Sequence, residues 1–213
     1  NEVAHIRKDV SFEKAKNGFM VADPLTLYDC CPTSDGASCV ILAADHVVKE
    51  FTDDPVWMLS SGAASDNLAL HDRPSITQLL ATQKASNNAY NMAGIKPSDV
   101  DFAEVHDCFT IAELLATEDL GFAQRGKGGE FARLGMGRRN EGDVCINPSG
   151  GLKSKGHPLG ATGTGQAVEV FKQLKGTVES SRIVRDAEIG ITHNVGGSGA
   201  TCAVHVFGRS RNV

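Results

Sequence analysis

The stretch Gly150-Gly151-Leu152-Lys153-Ser154-Lys155-Gly156-His157-Pro158-Leu159-Gly160-Ala161-Thr162-Gly163 sets five glycines, one proline and one histidine in fourteen positions. Glycine permits positive φ and close backbone approach, and proline fixes φ, so the loop is tightly shaped. It runs directly into residues 161–174, whose apolar spacing predicts an amphipathic helix. A shaped loop that delivers one imidazole to a helix start is a place for chemistry. Taken alone, it is equally an ordinary helix start with a surface histidine.

Working outward, helical and extended patterns alternate. Residues 1–25 carry helix-like charge and then Val21-Ala22-Asp23-Pro24, a turn signal. Small apolar residues from Ala37 to Ala44 predict a strand buried on both faces, followed by a short helix over 45–49 and a strand over 56–64. Pro74 to Ala93 reads as a helix opened by proline and stopped by Gly94. Strand 100–106, helix 110–120 stopped by Gly121, a Gly- and Arg-rich loop and a short extended piece over 143–147 follow. Two closing strands, 189–193 and 200–207, flank Gly196-Gly197-Ser198-Gly199. This alternation predicts an α/β domain with a mixed sheet of about five strands and helices on its faces.

The 213 residues suffice for one domain with a core, at 41% hydrophobic and 22% charged residues. A net charge of -5 argues against nucleic acid as a partner, and no apolar run approaches membrane-spanning length. Six scattered cysteines without a CxxC pair predict free thiols in a reducing compartment and give no metal-ligand spacing. The chain opens at Asn1 rather than Met, with a charged segment that reads as part of something longer.

Three loops carry reactive or polar groups. Glu104-Val105-His106-Asp107-Cys108-Phe109 ends a strand and precedes a helix, whose N-terminus is expected to lower the Cys108 thiol pKa. The loop around His157 is the second. His193-Asn194-Val195-Gly196-Gly197-Ser198-Gly199 is the third; its glycines can offer N–H groups to an oxyanion, or simply turn between strands. Neither GxGxxG nor GxSxG is met, the latter because Ala200 replaces its last glycine.

Together the loops resemble the thiolase family. Gly156-His157-Pro158-Leu159-Gly160-Ala161-Thr162-Gly163 is similar to the family's GHPxGxxG signature, and His106-Asp107-Cys108-Phe109 resembles the HDCF box of sterol-carrier-protein-2 type and archaeal thiolases. Asn194-Val195-Gly196-Gly197 stands where most thiolases have Cys-x-Gly, and Asp35-Gly36-Ala37 matches a further motif. The resemblance implies the C-terminal half of a two-half enzyme: a βαβαβαββ unit over 26–213, with 1–25 as the end of a linker or loop region from the N-terminal half. It implies that His157 activates a nucleophilic cysteine of that first half and donates to the thioester oxygen. His106 takes the place of the NEAF asparagine, Cys108 is the acid/base, Gly196 N–H completes an oxyanion hole, and Phe109, Pro158 and Asn194 contact substrate. The activity implied is condensation of two acetyl-CoA or the reverse thiolysis, with the coenzyme A thioester as substrate and no separate cofactor or metal. The implied partners are the N-terminal half, a second copy in a dimer or tetramer, and, through a cytoplasmic mevalonate-pathway role, hydroxymethylglutaryl-CoA synthase and an OB-fold bridging protein. A sterol-side-chain thiolase, a thiolase-like aldolase and a non-catalytic scaffold subunit are the rival readings.

Overall fold

The computed structural model describes Glu2 and residues 4–211. Asn1, Asn212 and Val213, at the outer bounds of the two expected segments, lie outside the described residues. A short helix α1 (Phe12–Lys16) and a hairpin of β1 (Met20–Ala22) and β2 (Leu25–Thr26), turning at Asp23–Pro24, come first. There follow β3 (Trp57–Ser65), α2 (Leu80–Ala93), β4 (Phe102–Glu104), α3 (Thr110–Asp119), α4 (Gly128–Leu134), β5 (Cys145–Ile146), α5 (Gly151–Lys155), α6 (Thr162–Leu174), β6 (Ile189–Gly196) and β7 (Thr201–Gly208). The five later strands form one mixed sheet in the order β3-β7-β6-β4-β5. β7 runs antiparallel to β3 and β6, while β4 lies parallel to β5 and β6. The expected α/β architecture is present.

Strand side chains alternate between faces, and here the alternation feeds two cores. Ala103 and Val105, Ile189 and Ile191, and Cys202, Val204 and Val206 meet Ala81, Ala85 and Ala89 of α2 together with residues of α3 and α4. Phe102 and Phe207 face the other way, against Val170 and Leu174 of α6. The sheet therefore carries helices on both faces. The first layer is unusually close: Gly62 of β3 lies under α2, where a Cβ would collide with the Ala85 carbonyl. Three alanines and one glycine allow that approach. Gly94 ends α2 in the left-handed region at φ 73, its N–H donating to Tyr90 O, as its sequence position predicts.

Four expectations are corrected. Residues 37–44 form no strand and are largely exposed, with Ile41 at 91% and Leu42 at 74%. A strand needs neighbouring N–H and C=O groups, and among the described residues no strand runs beside this one. The segment instead crosses the second sheet face. Ser38 Oγ donates to Ala161 O (2.7 Å), and Val40 to Ala43 line a groove of about 1040 Å³ against α6, β6 and β7. Helix 74–93 begins only at Leu80, because residues 77–79 are drawn away by tertiary bonds. Leu79 N donates to Asp119 Oδ2 (2.7 Å), and the Arg125 guanidinium holds Thr77. Third, the Gly- and Arg-rich loop contains helix α4, and the start of the Gly150–Gly163 stretch is itself the short helix α5. A single 3-10 turn, Val48–Glu50, stands where the short helix over 45–49 was expected.

Candidate active site

The parallel strands β4, β5 and β6 end at one edge of the sheet, where ligands bind in open α/β folds. The residues beyond them are His106 to Phe109 after β4, Asn147 to Lys155 after β5, and Asn194 to Gly196 at the end of β6.

Backbone and carboxylate bonds lock the first two together. Asn147, in the left-handed region at φ 52, accepts from Val105 N through Oδ1 (2.8 Å) and donates through Nδ2 to Glu113 (2.9 Å). The Asp107 carboxylate accepts from Leu152 N (2.7 Å) and Lys153 N (3.4 Å), so it sits at the start of α5. This explains Gly151: its φ is 61, and a Cβ there would run into the Asp107 carboxylate. Burial pushes Asp107 up to about 7 despite the two backbone donors. Glu104, fully buried, accepts from Ser149 N (2.9 Å), Ser149 Oγ (2.6 Å) and Lys155 Nζ (3.0 Å).

These ties bring His106 and His157 edge to face, with ring centroids 4.8 Å apart at 89°. Thr162 Oγ1 donates to Pro158 O (3.1 Å), so His157 Nδ1–H donates to Thr162 Oγ1 (2.7 Å). That tautomer, assigned from the hydrogen-bond network, leaves Nε2 as the basic nitrogen. Burial holds His157 below the usual imidazole range. Burial, and then the neighbouring His157, push His106 down to about 4. Both rings are therefore neutral at pH 7. His106 Nδ1 is buried and has no partner among the described residues. Behind the pair, fully buried His193 accepts from His106 N at Nδ1 (3.4 Å), so its Nε2–H donates to Thr82 Oγ1 (3.0 Å).

Cys108 is half-buried in the same loop. An antiparallel bridge between Cys30 and Phe109, with Cys31 N donating to Cys108 O (2.9 Å), sets Cys31 opposite it. The expected depression of the Cys108 pKa by the α3 N-terminus is not found. Burial pushes the thiol up, aided by Cys31, because Cys108 lies two residues before α3 and is partly withdrawn from water. The resting side chain is a thiol, a proton donor before it is a base.

The other expected positions are distributed around this centre. Pro158 packs on the Asp35-Gly36-Ala37 segment, a Cβ on Gly36 falling 3.0 Å from its ring, and a parallel bridge joins Thr33 to His157. Phe109 is 42% exposed, beside Cys30. Asn194 Nδ2 donates to Gln166 Oε1 (3.3 Å), and its side chain lies against Gly163, one residue from the Thr162 that holds His157. Gly196 is exposed at the end of β6, and among the described residues no hydrogen bond joins it to the histidine pair. Sequence reading passed over Glu104, Asp107, Asn147, Lys155, Thr162 and His193. One signal was available: Glu104 is a charge inside the apolar strand Phe102-Ala103-Glu104-Val105, and such a charge is buried only with a partner.

Residues 62–209 match the family described as thiolase C-terminal domain-like. The acetyl-CoA acetyltransferase of Methanothermobacter thermautotrophicus is 52% identical over 209 residues, covering 98% of this chain and 54% of that protein. Sterol carrier protein 2 of Oryctolagus cuniculus is 38% identical over 205 residues, covering 94% of this chain and 37% of that protein. Among solved structures, the Ltp2-ChsH2(DUF35) aldolase shares the fold at a TM-score of 0.82 and 21% identity, over 97% of this chain and 53% of that one. The chain thus spans about half the length of the archaeal relative, and the ordered motifs, the fold and the relatives agree: it belongs to the thiolase family, to whose C-terminal domain it corresponds.

Proposed function

We propose that this chain supplies half of an acetyl-CoA C-acetyltransferase site, condensing two acetyl-CoA or cleaving acetoacetyl-CoA with coenzyme A. The observation that carries the reading is the edge-to-face pair of His106 and His157, with the protonated Cys108 two residues on in the His106 loop. A Claisen condensation needs an activated thiol nucleophile, a group that exchanges the α-proton, and donors for an enolate oxygen. His157 Nε2 takes the proton of a nucleophilic cysteine that the resemblance assigns to a preceding half. Cys108 exchanges the α-proton of the second acyl group. His106 and the Gly196 N–H serve the two oxyanion positions, and Phe109, Pro158 and Asn194 border the thioester. The coenzyme A thioester is the substrate, with no separate cofactor or metal.

The remaining partners belong to the same reading. Exposed Val40, Ile41 and Leu42 and the groove beneath them support a preceding half seated on this surface, consistent with residues 1–25 being the end of a linker. A dimer or tetramer, hydroxymethylglutaryl-CoA synthase and an OB-fold bridging protein follow from the mevalonate-pathway reading. So does a cytoplasmic location; no helix among the described residues is long and apolar enough to cross a membrane. The match to sterol carrier protein 2 favours a second reading, a sterol-side-chain 3-ketoacyl-CoA thiolase.

The test is coenzyme A-dependent cleavage of acetoacetyl-CoA by the chain joined to its preceding half. Cys108→Ser is expected to lower kcat about a thousandfold. The 213-residue chain alone is expected to give no turnover. Cleavage of sterol-side-chain 3-ketoacyl but not acetoacetyl thioesters moves the assignment to the second reading, and no thiolysis from the joined protein rejects both.

A further inference from the structure

The Glu104–Lys155 ion pair has a placement that its contribution to folding does not explain. Replacing a buried pair with apolar residues is often neutral or stabilising, so stability alone gives little reason to keep one. Each partner lies two residues before an imidazole: Glu104 before His106, and Lys155 before His157. Glu104 is 0% exposed, and its Oε2 carries both Lys155 Nζ (3.0 Å) and Ser149 Oγ (2.6 Å). Ser149 Oγ in turn accepts from Gly151 N (3.2 Å), which continues the tie into α5.

The histidines depend on such a tie. No hydrogen bond runs between the two rings among the described residues, and His106 Nδ1 has no partner there. Among the described residues the His157 ring hydrogen-bonds to Thr162, on the side of α6, while its backbone bridges Thr33. On its other side, Gly156, at φ 100 and ψ 164, turns the chain between α5 and His157 through a conformation that glycine alone adopts freely. Gly156 N donates to Leu152 O (3.1 Å) and the turn packs against Ser34, so it is a fixed link that carries a movement of Lys155 on to the ring.

We propose that Glu104 and Lys155 are positioning residues that set the mutual placement of His106 and His157. The inference rests on the acyl-transfer reading for its purpose but not for its test. Neither side chain bonds to an imidazole among the described residues, so both act through the backbone that bears the rings.

The test uses the 213-residue chain with isotope-labelled histidine and reads the NOE between the His106 and His157 ring protons, together with their ring chemical shifts. Glu104→Gln and Lys155→Met, which keep shape and remove one charge, are expected to weaken the NOE at least twofold and shift both rings. Lys155→Arg, which keeps the charge, is expected to retain the wild-type signals. Glu169→Gln, which breaks the buried pair of Arg182 and Glu169 on the α6 side, is the control: it should lower stability and leave the ring signals in place. Lys155 is partly exposed, so Lys155→Met reads the proposal even where Glu104→Gln does not fold. Wild-type signals in Lys155→Met, or equal changes in Glu169→Gln, overturn the proposal. In the joined protein, Lys155→Met is expected to lower kcat about a hundredfold with KM within twofold, the cost of a misplaced group. If the NOE is lost in the variants but the wild-type joined protein shows no thiolysis, the positioning role stands and the acyl-transfer reading falls.

Discussion

His106 and His193 are buried and neutral at pH 7, and this has a direct consequence for acid stability. An unfolded imidazole takes up its proton near 6.5, but burial delays uptake in the folded chain to about 4 for His106 and about 3 for His193. Below pH 6.5 the unfolded state binds more protons, so the stability these two residues contribute is present above 6.5 and lost as pH falls. The slope is about 1.4 kcal/mol per pH unit for each fully coupled proton. Asp107 works in the opposite sense. Its folded pKa is raised from 3.8 to about 7, so its contribution is full below 3.8 and is lost as pH rises through 7. Urea unfolding between pH 4 and 6.5 is expected to show a slope shallower by about 1.4 kcal/mol per unit in His193→Gln, and steeper by a similar amount in Asp107→Asn. Slopes equal to wild type in both variants would mean that neither group titrates differently on folding.

At the scale of elements, the contact of α2 on β3 depends on small residues rather than on interlocking large ones. Gly62 has the Ala85 carbonyl over it and the Ala89 nitrogen 2.9 Å from where a Cβ would stand, while Ser60 Oγ donates to Ala89 O (2.8 Å). Backbone cannot yield as a side-chain tip can, so Gly62→Ala is expected to cost about 3 kcal/mol by forcing the helix off the strand. Gly94 supplies the contrast. Its Cβ would meet open space, and Gly94→Ala is expected to cost only about 1 kcal/mol, from its left-handed φ. Chemical denaturation of the two variants side by side checks the order, and a reversed order would refute the close-approach argument.

At the scale of the whole molecule, one sheet face is finished and the other is not. α2, α3 and α4 close the first, whereas α6 covers only part of the second and leaves the groove crossed by residues 40–43. Ile41 and Leu42 contribute almost no burial within this chain. Ile41→Asp combined with Leu42→Asp is therefore expected to change its stability by less than about 0.5 kcal/mol. The same pair should abolish the proposed association with a preceding half, followed by co-purification and sedimentation. A large loss of stability in the isolated chain would show that the segment packs inward after all.

Local pattern and spacing were enough for the α/β class, for α3, α6 and the three long strands, and for singling out the loops that carry His106, Cys108 and His157. Those features follow from periodicity, from glycine and proline punctuation, and from side-chain chemistry carried by consecutive residues. Tertiary structure decided the rest. The apolar run at 37–44 has the composition of a strand, but strand formation is a property of pairs, and among the described residues no strand pairs with it. Residues 74–79 have helix signals, but Asp119 and Arg125, 40 and 48 residues away from their partners, hold Leu79 N and Thr77 O. Cys108 stands close to a helix start, yet desolvation outweighs that helix and keeps the thiol protonated. That Thr162 bonds the His157 ring, and that Glu104 pairs with Lys155 beneath the two histidine loops, is decided only where β4, α5 and α6 meet at one edge of the sheet. Hydrogen bonds and burial depend on distances between segments far apart in the chain, and no local pattern contains them.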